Sequence, residues 1–133
     1  MSQLKCILVT PEKTVSEQPA DFVVVTLYDG EIGIAPRHRP FIGRLGYGEM
    51  RITQADKVDR YYVEGGFVEA LDDVVTVLTS RALPVAEIDE AVAWEQLHAA
   101  QIKPSNTPEL MAMRDRAVMQ SRAQLHVSRR ASR

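Results

Sequence analysis

Short apolar runs alternate with turn-forming residues through the first part of the chain. The runs are LKCILV (4–9), DFVVVTLY (21–28), EMRIT (49–53), DRYYVEGGFVEAL (59–71) and VVTVLT (74–79). Val, Ile, Thr and Tyr fit a pleated, half-buried surface, so each run reads as a strand. Between them, Tyr28-Asp29-Gly30-Glu31, Gly46-Tyr47-Gly48, Gln54-Ala55-Asp56-Lys57 and Leu71-Asp72-Asp73 supply hairpin turns, the last with the look of a solvated one. In the final run Val75 and Val77 point one way and Val74, Thr76 and Leu78 the other. Both faces are largely apolar, which predicts a strand that is internal or covered on both sides.

The period changes after Pro84. EIDEAVAWEQLHAAQI (87–102) is rich in helix formers and has no Gly or Pro. Ile88, Ala91, Val92, Ala99 and Ile102 share one helical face, interrupted by Glu95 and His98. KPSNTP breaks the helix, Thr107 suits an N-cap and Pro108 the first helical position. Leu110, Met113, Ala117, Val118, Ser121 and Leu125 then line a second helix. So short a connection predicts an antiparallel hairpin, and its modest hydrophobicity predicts one that is weakly held. The whole pattern predicts an α+β chain, with an N-terminal antiparallel β-sandwich over residues 1–86 and a C-terminal antiparallel two-helix hairpin over 87–133.

Of the 133 residues, 45% are hydrophobic and 26% charged, enough for one modest domain and an appendage. Cys6 is the only cysteine, which excludes an internal disulfide and predicts a small apolar filler in the first strand. No stretch approaches the roughly 20 apolar residues of a membrane span, and MSQLKCILVTPEK lacks leader character, so a soluble, unprocessed chain is expected. The net charge of −2 offers no general attraction for nucleic acid. Residues 1–86 carry nine Lys/Arg and twelve Asp/Glu, whereas residues 114–133 carry six Arg and one acid, Asp115. A mildly acidic body therefore ends in a basic tail.

His38, His98 and His126 stand at no metal-binding spacing and have no Cys pair to help them, so no metal site is expected. His98 and His126 are expected on the helix surface or seam. The phosphate-cradling GxxxxGK[ST], dinucleotide GxGxxG and nucleophile GxSxG patterns do not occur. The glycines of GEIGI and GYGEM lie between strands and suit turns and bulges. Neither catalytic residues nor a cofactor are expected.

The segment DGEIGIAPRHRPFI (29–42) joins a tight turn, a two-glycine strand and a Pro-bounded basic loop. A hairpin and a surface loop would account for it alone. It also resembles the DGExGIxPxHxP signature of the epsilon subunits of bacterial and chloroplast F-type ATP synthases. Leu8-Val9-Thr10-Pro11-Glu12 matches that family's opening strand, and Leu45-Gly46-Tyr47-Gly48-Glu49-Met50-Arg51-Ile52 its LxxGxxRI stretch. Val63-Glu64-Gly65-Gly66-Phe67-Val68-Glu69 matches GGFxEV, Val74-Val75-Thr76-Val77-Leu78 matches VTVL, and Glu87-Ile88-Asp89-Glu90 stands where the acidic hairpin opens. The matches run in the same order along essentially the whole chain.

The resemblance implies a sandwich at the foot of a rotor, bound to the gamma subunit and resting on the polar loops of the c-ring, without catalysis. It implies a two-helix tail that can rise into the catalytic alpha/beta head and restrain ATP hydrolysis. Glu31, Arg37, His38, Arg39 and Arg44 are implied on the ring- and gamma-facing loop, and Asp89, Arg114, Arg122 and Arg129 in the regulatory tail. It further implies a peripheral position, either on the cytoplasmic face of the bacterial inner membrane, expected as the broader class, or on a plastid thylakoid. Arg37 and Arg39 replace residues commonly small in the signature, and Leu27-Tyr28 a small or polar pair, so this loop is bulkier and more basic. Members that bind ATP between their tail helices use IDxxRA; here Ile88, Asp89, Ala93 and Arg122 are kept but Val92 stands at the motif arginine. Loss of that guanidinium predicts no ATP sensing. Two other readings are a free-standing binding module with a helical dimerisation tail and a small metal-dependent barrel enzyme, the latter disfavoured by having one sandwich histidine, His38.

Overall fold

The computed structural model of the chain describes residues 3–131. Met1 and Ser2, which open the segment read for a leader, and Arg133 of the basic tail lie outside the described residues. The chain divides into two compact units, Met1–Pro84 and Val85–Arg133.

The first unit is a sandwich of β1 (Leu4–Val9), β2 (Thr14–Ala20), β3 (Phe22–Leu27), β4 (Gly30–Ile34), β5 (Phe41–Arg44), β6 (Tyr47–Gln54), β7 (Lys57–Glu64), β8 (Phe67–Leu71), β9 (Val74–Leu78) and β10 (Ala82–Pro84). One sheet runs β2-β1-β9-β8-β5 and the other β10-β7-β6-β3-β4. Alternate residues from both sheets meet in one core, including Leu4, Cys6 and Leu8 of β1, Val23 and Val25 of β3, Met50 and Ile52 of β6, and Val75 and Val77 of β9. Cys6 is the expected filler, and burial pushes its thiol up from 9.0 to about 12.

The pairings are antiparallel except that of β1 with β9, which is parallel. Those strands are far apart in sequence, so no hairpin constrains their direction. β9 is internal to its sheet, between β1 and β8, as its two-faced pattern predicts. Tyr28-Asp29, Ala55-Asp56 and Asp72-Asp73 form hairpin turns. Asp72 and Asp73 both have positive φ, 51° and 63°, which matches the twist of the flanking strands.

Three strand expectations change. Tyr47 and Gly48 belong to β6 rather than to a turn, and the chain crosses between sheets at Leu45-Gly46. The run 59–71 divides into β7 and β8 because Gly65 and Gly66 adopt φ 65° and 104°, and a Cβ on Gly66 would collide with the Leu78 carbonyl. β2, β5 and β10 go unread because they are edge strands, where polar residues and proline replace apolar alternation.

The second unit opens with a 3-10 turn, Val85–Glu87, followed by α1 (Glu90–Gln101) and α2 (Pro108–Ala131). Asp89 caps α1 through its carboxylate, which accepts from Ala91 N at 2.9 Å and Val92 N at 3.4 Å. Thr107 caps α2, its Oγ1 accepting from Leu110 N at 3.1 Å. The helices are antiparallel, and their seam joins Ala93 and Leu97 to Val118 and Leu125. The expected α1 face is therefore wrong: Ala91, Val92, Ala99 and Ile102 are exposed, while Ala93, Leu97 and Ala100 are buried. Alanines flanking one leucine let the helices approach more closely than a β-branched stripe would. On α2, Met113 is exposed and Arg114 is half-buried in its place. His98 and His126 are exposed.

Candidate partner-binding surface

Glu31, Arg37, His38, Arg39 and Arg44 are close in sequence but fall into two groups in space. Glu31 pairs with Thr26 and Gly30 with Leu27, beside the β3–β4 turn. Arg44 lies at the same end: its carbonyl accepts the Tyr28 N–H at 2.9 Å, and its guanidinium stands 5.1 Å from the Tyr28 ring centroid. Arg37, His38 and Arg39 follow the other end of β4, about 15 Å away along a strand at about 3.3 Å per residue. No single contact point includes all five.

The Glu31 end is charged and internally paired. Arg51 Nη1 lies 3.3 Å from Glu31 Oε2 and 2.8 Å from Oε1 of the buried Glu49. That hydrogen bond with Glu49 pushes the Arg51 guanidinium above its ordinary range. Arg60 reaches the same Glu49 oxygen at 3.5 Å. At the other end His38 is half-buried, its Nδ1 2.7 Å from the Arg39 carbonyl and its ring edge-on to Phe41 at 6.1 Å. Leu4, Ile34, Ala70 and Val75 of the core end lie around it, whereas Arg37 and Arg39 are exposed.

The outer face of the β2-β1-β9-β8-β5 sheet adds a surface that was not singled out in the sequence. The pairings place Phe67 beside Leu78, Leu78 beside Val9, and Ile42 beside Glu69. Ile42 is 71% exposed, Phe67 56%, Leu78 51% and Leu71 44%. An open groove of about 390 Å³, lined by Val9, Thr10, Pro11, Leu78, Thr79 and Ser80, continues from this face. Phe67, Leu78 and Val9 form one apolar row, bordered by Arg44 beside Phe67 and Glu69 beside Ile42, and an exposed apolar row with a polar rim has the make-up of a docking surface. The signal was present in the apolar outward residues Val74 and Leu78, but it pointed to a covered face.

The tail residues have separate environments. Asp89 is the α1 cap, and Arg114 Nε donates to the Gln101 carbonyl at 3.3 Å. Arg129 pairs with Glu90 at 3.0 Å and stands 5.7 Å from the Trp94 ring centroid. Arg122 is exposed. Among the described residues no group of three His, Cys, Asp or Glu could hold a metal ion, and no helix is long and apolar enough to cross a membrane.

Residues 3–85 match the family model of the ATP synthase Delta/Epsilon chain, beta-sandwich domain. The ATP synthase epsilon chain of Rhodopirellula baltica is 45% identical over 126 residues, covering 95% of this chain and 98% of that one. The sodium-ion-specific epsilon chain of Propionigenium modestum is 33% identical over 124 residues, covering 93% and 88%. A chain in the Euglena gracilis mitochondrial ATP synthase structure has the same fold, with a TM-score of 0.85 at 22% identity over 99% of this chain and 82% of that one. The sandwich, the hairpin and a 45% identical alignment that runs nearly end to end along the Rhodopirellula chain agree, and the chain belongs to the ATP synthase epsilon-chain family.

Proposed function

We propose that the chain is a non-catalytic central-stalk subunit of an F-type ATP synthase, coupling ion-driven c-ring rotation to ATP synthesis. The observation that carries this reading is the collinear match to the Rhodopirellula epsilon chain over 95% of this chain and 98% of that one. The apolar outer face bearing Phe67, Leu78 and Ile42 docks the gamma subunit. The polar groups at the two ends of β4 supply contacts to gamma and to the c-ring loops. Such a subunit is peripheral and sits on the cytoplasmic face of a bacterial inner membrane. Its helical hairpin meets the alpha/beta head and restrains ATP hydrolysis. Helices joined by a thin seam of Ala and Leu, with Val92, Trp94 and Met119 exposed, can leave their packed state at small cost.

The test is hydrolysis by the assembled complex with the full chain or with residues 87–133 removed. The reading expects faster ATP hydrolysis without the hairpin and retained ATP synthesis. Equal hydrolysis rates would remove the regulatory role, and synthesis unaffected by omitting the whole chain would remove the coupling role.

A further inference from the structure

Arg37 occupies a turn position that disfavours a side chain. The His38 N–H donates to the Ala35 carbonyl at 3.2 Å, closing a turn with Pro36 second and Arg37 third. Arg37 has φ 66°, a value this kind of turn requires at its third position and glycine adopts freely. An arginine there is strained by its own Cβ, so an interaction from outside the turn must favour the conformation.

That interaction comes from the β8–β9 turn. The Arg37 N–H donates to Asp73 Oδ1 at 2.6 Å, across 36 positions of sequence. Asp73 is itself fixed, because its carbonyl accepts the Lys5 N–H at 2.8 Å and thereby joins β1. The Asp73 main chain is thus anchored in the sandwich, and from there its carboxylate reaches the loop through Oδ1. A hydrogen bond to an ionised acceptor is among the stronger kinds, and here it acts on the one strained residue of the segment.

We propose that Asp73 is the positioning residue of the basic loop, its carboxylate capturing the Arg37 amide so that Arg37, His38 and Arg39 keep one presentation. The effect on partner binding rests on the function proposed above; the lock itself does not. A loop already held in one conformation binds without the entropy cost of ordering it.

Two substitutions separate the acceptor from the backbone. Asp73→Asn keeps a side-chain carbonyl and tolerates positive φ, whereas Asp73→Gly keeps the backbone freedom and has no acceptor. In the full chain, Asp73→Gly should speed Arg37 amide exchange about tenfold or more, and Asp73→Asn, which keeps a neutral and weaker acceptor, by distinctly less. Affinity for the gamma–c-ring rotor should fall in the same order. In an Arg37→Gly background, where the strain is gone, Asp73→Gly should weaken that affinity less. Arg37 exchange that is the same in wild type and Asp73→Gly, or equally accelerated by Asn and Gly, overturns the lock. Exchange in the expected order with unchanged rotor affinity supports the lock and counts against the loop as a rotor contact.

Discussion

Arg129 Nε donates a 3.0 Å hydrogen bond to Glu90 Oε1 across 39 positions of sequence, joining the last turn of α2 to the first turn of α1. The same guanidinium stands 5.7 Å from the Trp94 ring centroid. Each charge also suits its own helix dipole. Both side chains are about half exposed, so the ion pair is worth about 0.2–1 kcal/mol and the ring contact about 0.5–1 kcal/mol, both reduced by salt.

Arg129→Glu should therefore loosen the free hairpin more than Arg122→Glu, since Arg122 has no ion pair among the described residues. Proteolysis of the 102–107 connector at low salt should quicken for Arg129→Glu and most for the double variant. In the proposed raised state the same arginines meet an acidic surface of the head, so their reversal should also relieve the restraint on ATP hydrolysis in the assembled complex. Unchanged proteolysis and hydrolysis would make these charges a solvated face.

Glu31→Ala and His38→Ala should both weaken rotor assembly, but they should differ in the isolated chain. Glu31 contributes a half-exposed ion pair with Arg51, so its loss should leave Tm within about 2–4 °C of wild type. His38 packs edge-on against Phe41 over the core end, so its removal should lower Tm by about 4–8 °C per kcal/mol lost. Equal Tm changes would contradict this division.

Millimolar ATP should leave the melting temperature unchanged. Val92, at the position of the motif arginine, is exposed and supplies no phosphate partner. A ligand at 100 times its Kd would stabilise by about 2.7 kcal/mol, so binding in the low micromolar range would be seen at once.

The Cys6 thiol predicts an alkaline weakness. Its pKa rises from 9.0 to about 12 on burial, so the neutral form is favoured in the native state. That contribution is complete below pH 9.0 and lost as pH climbs toward 12, at about 1.4 kcal/mol per pH unit inside the window. Urea midpoints should fall more steeply with pH through this window in wild type than in Cys6→Ala. Parallel slopes would exclude Cys6 as the cause.

The sandwich was legible where alternation ran deep, as in LKCILV and VVTVLT, and where a turn demanded particular residues, as at Asp72-Asp73. Edge strands such as β2 carry polar residues and Pro19, so their pairing is settled by neighbours rather than by their own pattern. The α1 seam was missed because Ala93 and Ala100 matter through their small size, while Ile88, Val92 and Ile102 dominate a hydrophobic count. Glu31 to Arg44 read as one surface because the residues are consecutive, yet β4 carries the chain from the end where Glu31 and Arg44 lie to the Arg37–Arg39 loop at its other end. Asp73 read as a solvated turn because its partner, the Arg37 amide, is 36 positions away.

The central claim is that the outer face bearing Phe67 and Leu78 seats this chain on gamma. The direct measurement is calorimetric titration of the full chain into the gamma subunit of the same synthase, alongside Phe67→Asp and Leu78→Asp. Both residues are more than half exposed, so neither change should unfold the sandwich. The account predicts a one-to-one complex with a Kd of about 1 μM or tighter, weakened about tenfold or more by either aspartate. No complex at micromolar concentration, or one that both aspartates leave intact, would contradict it.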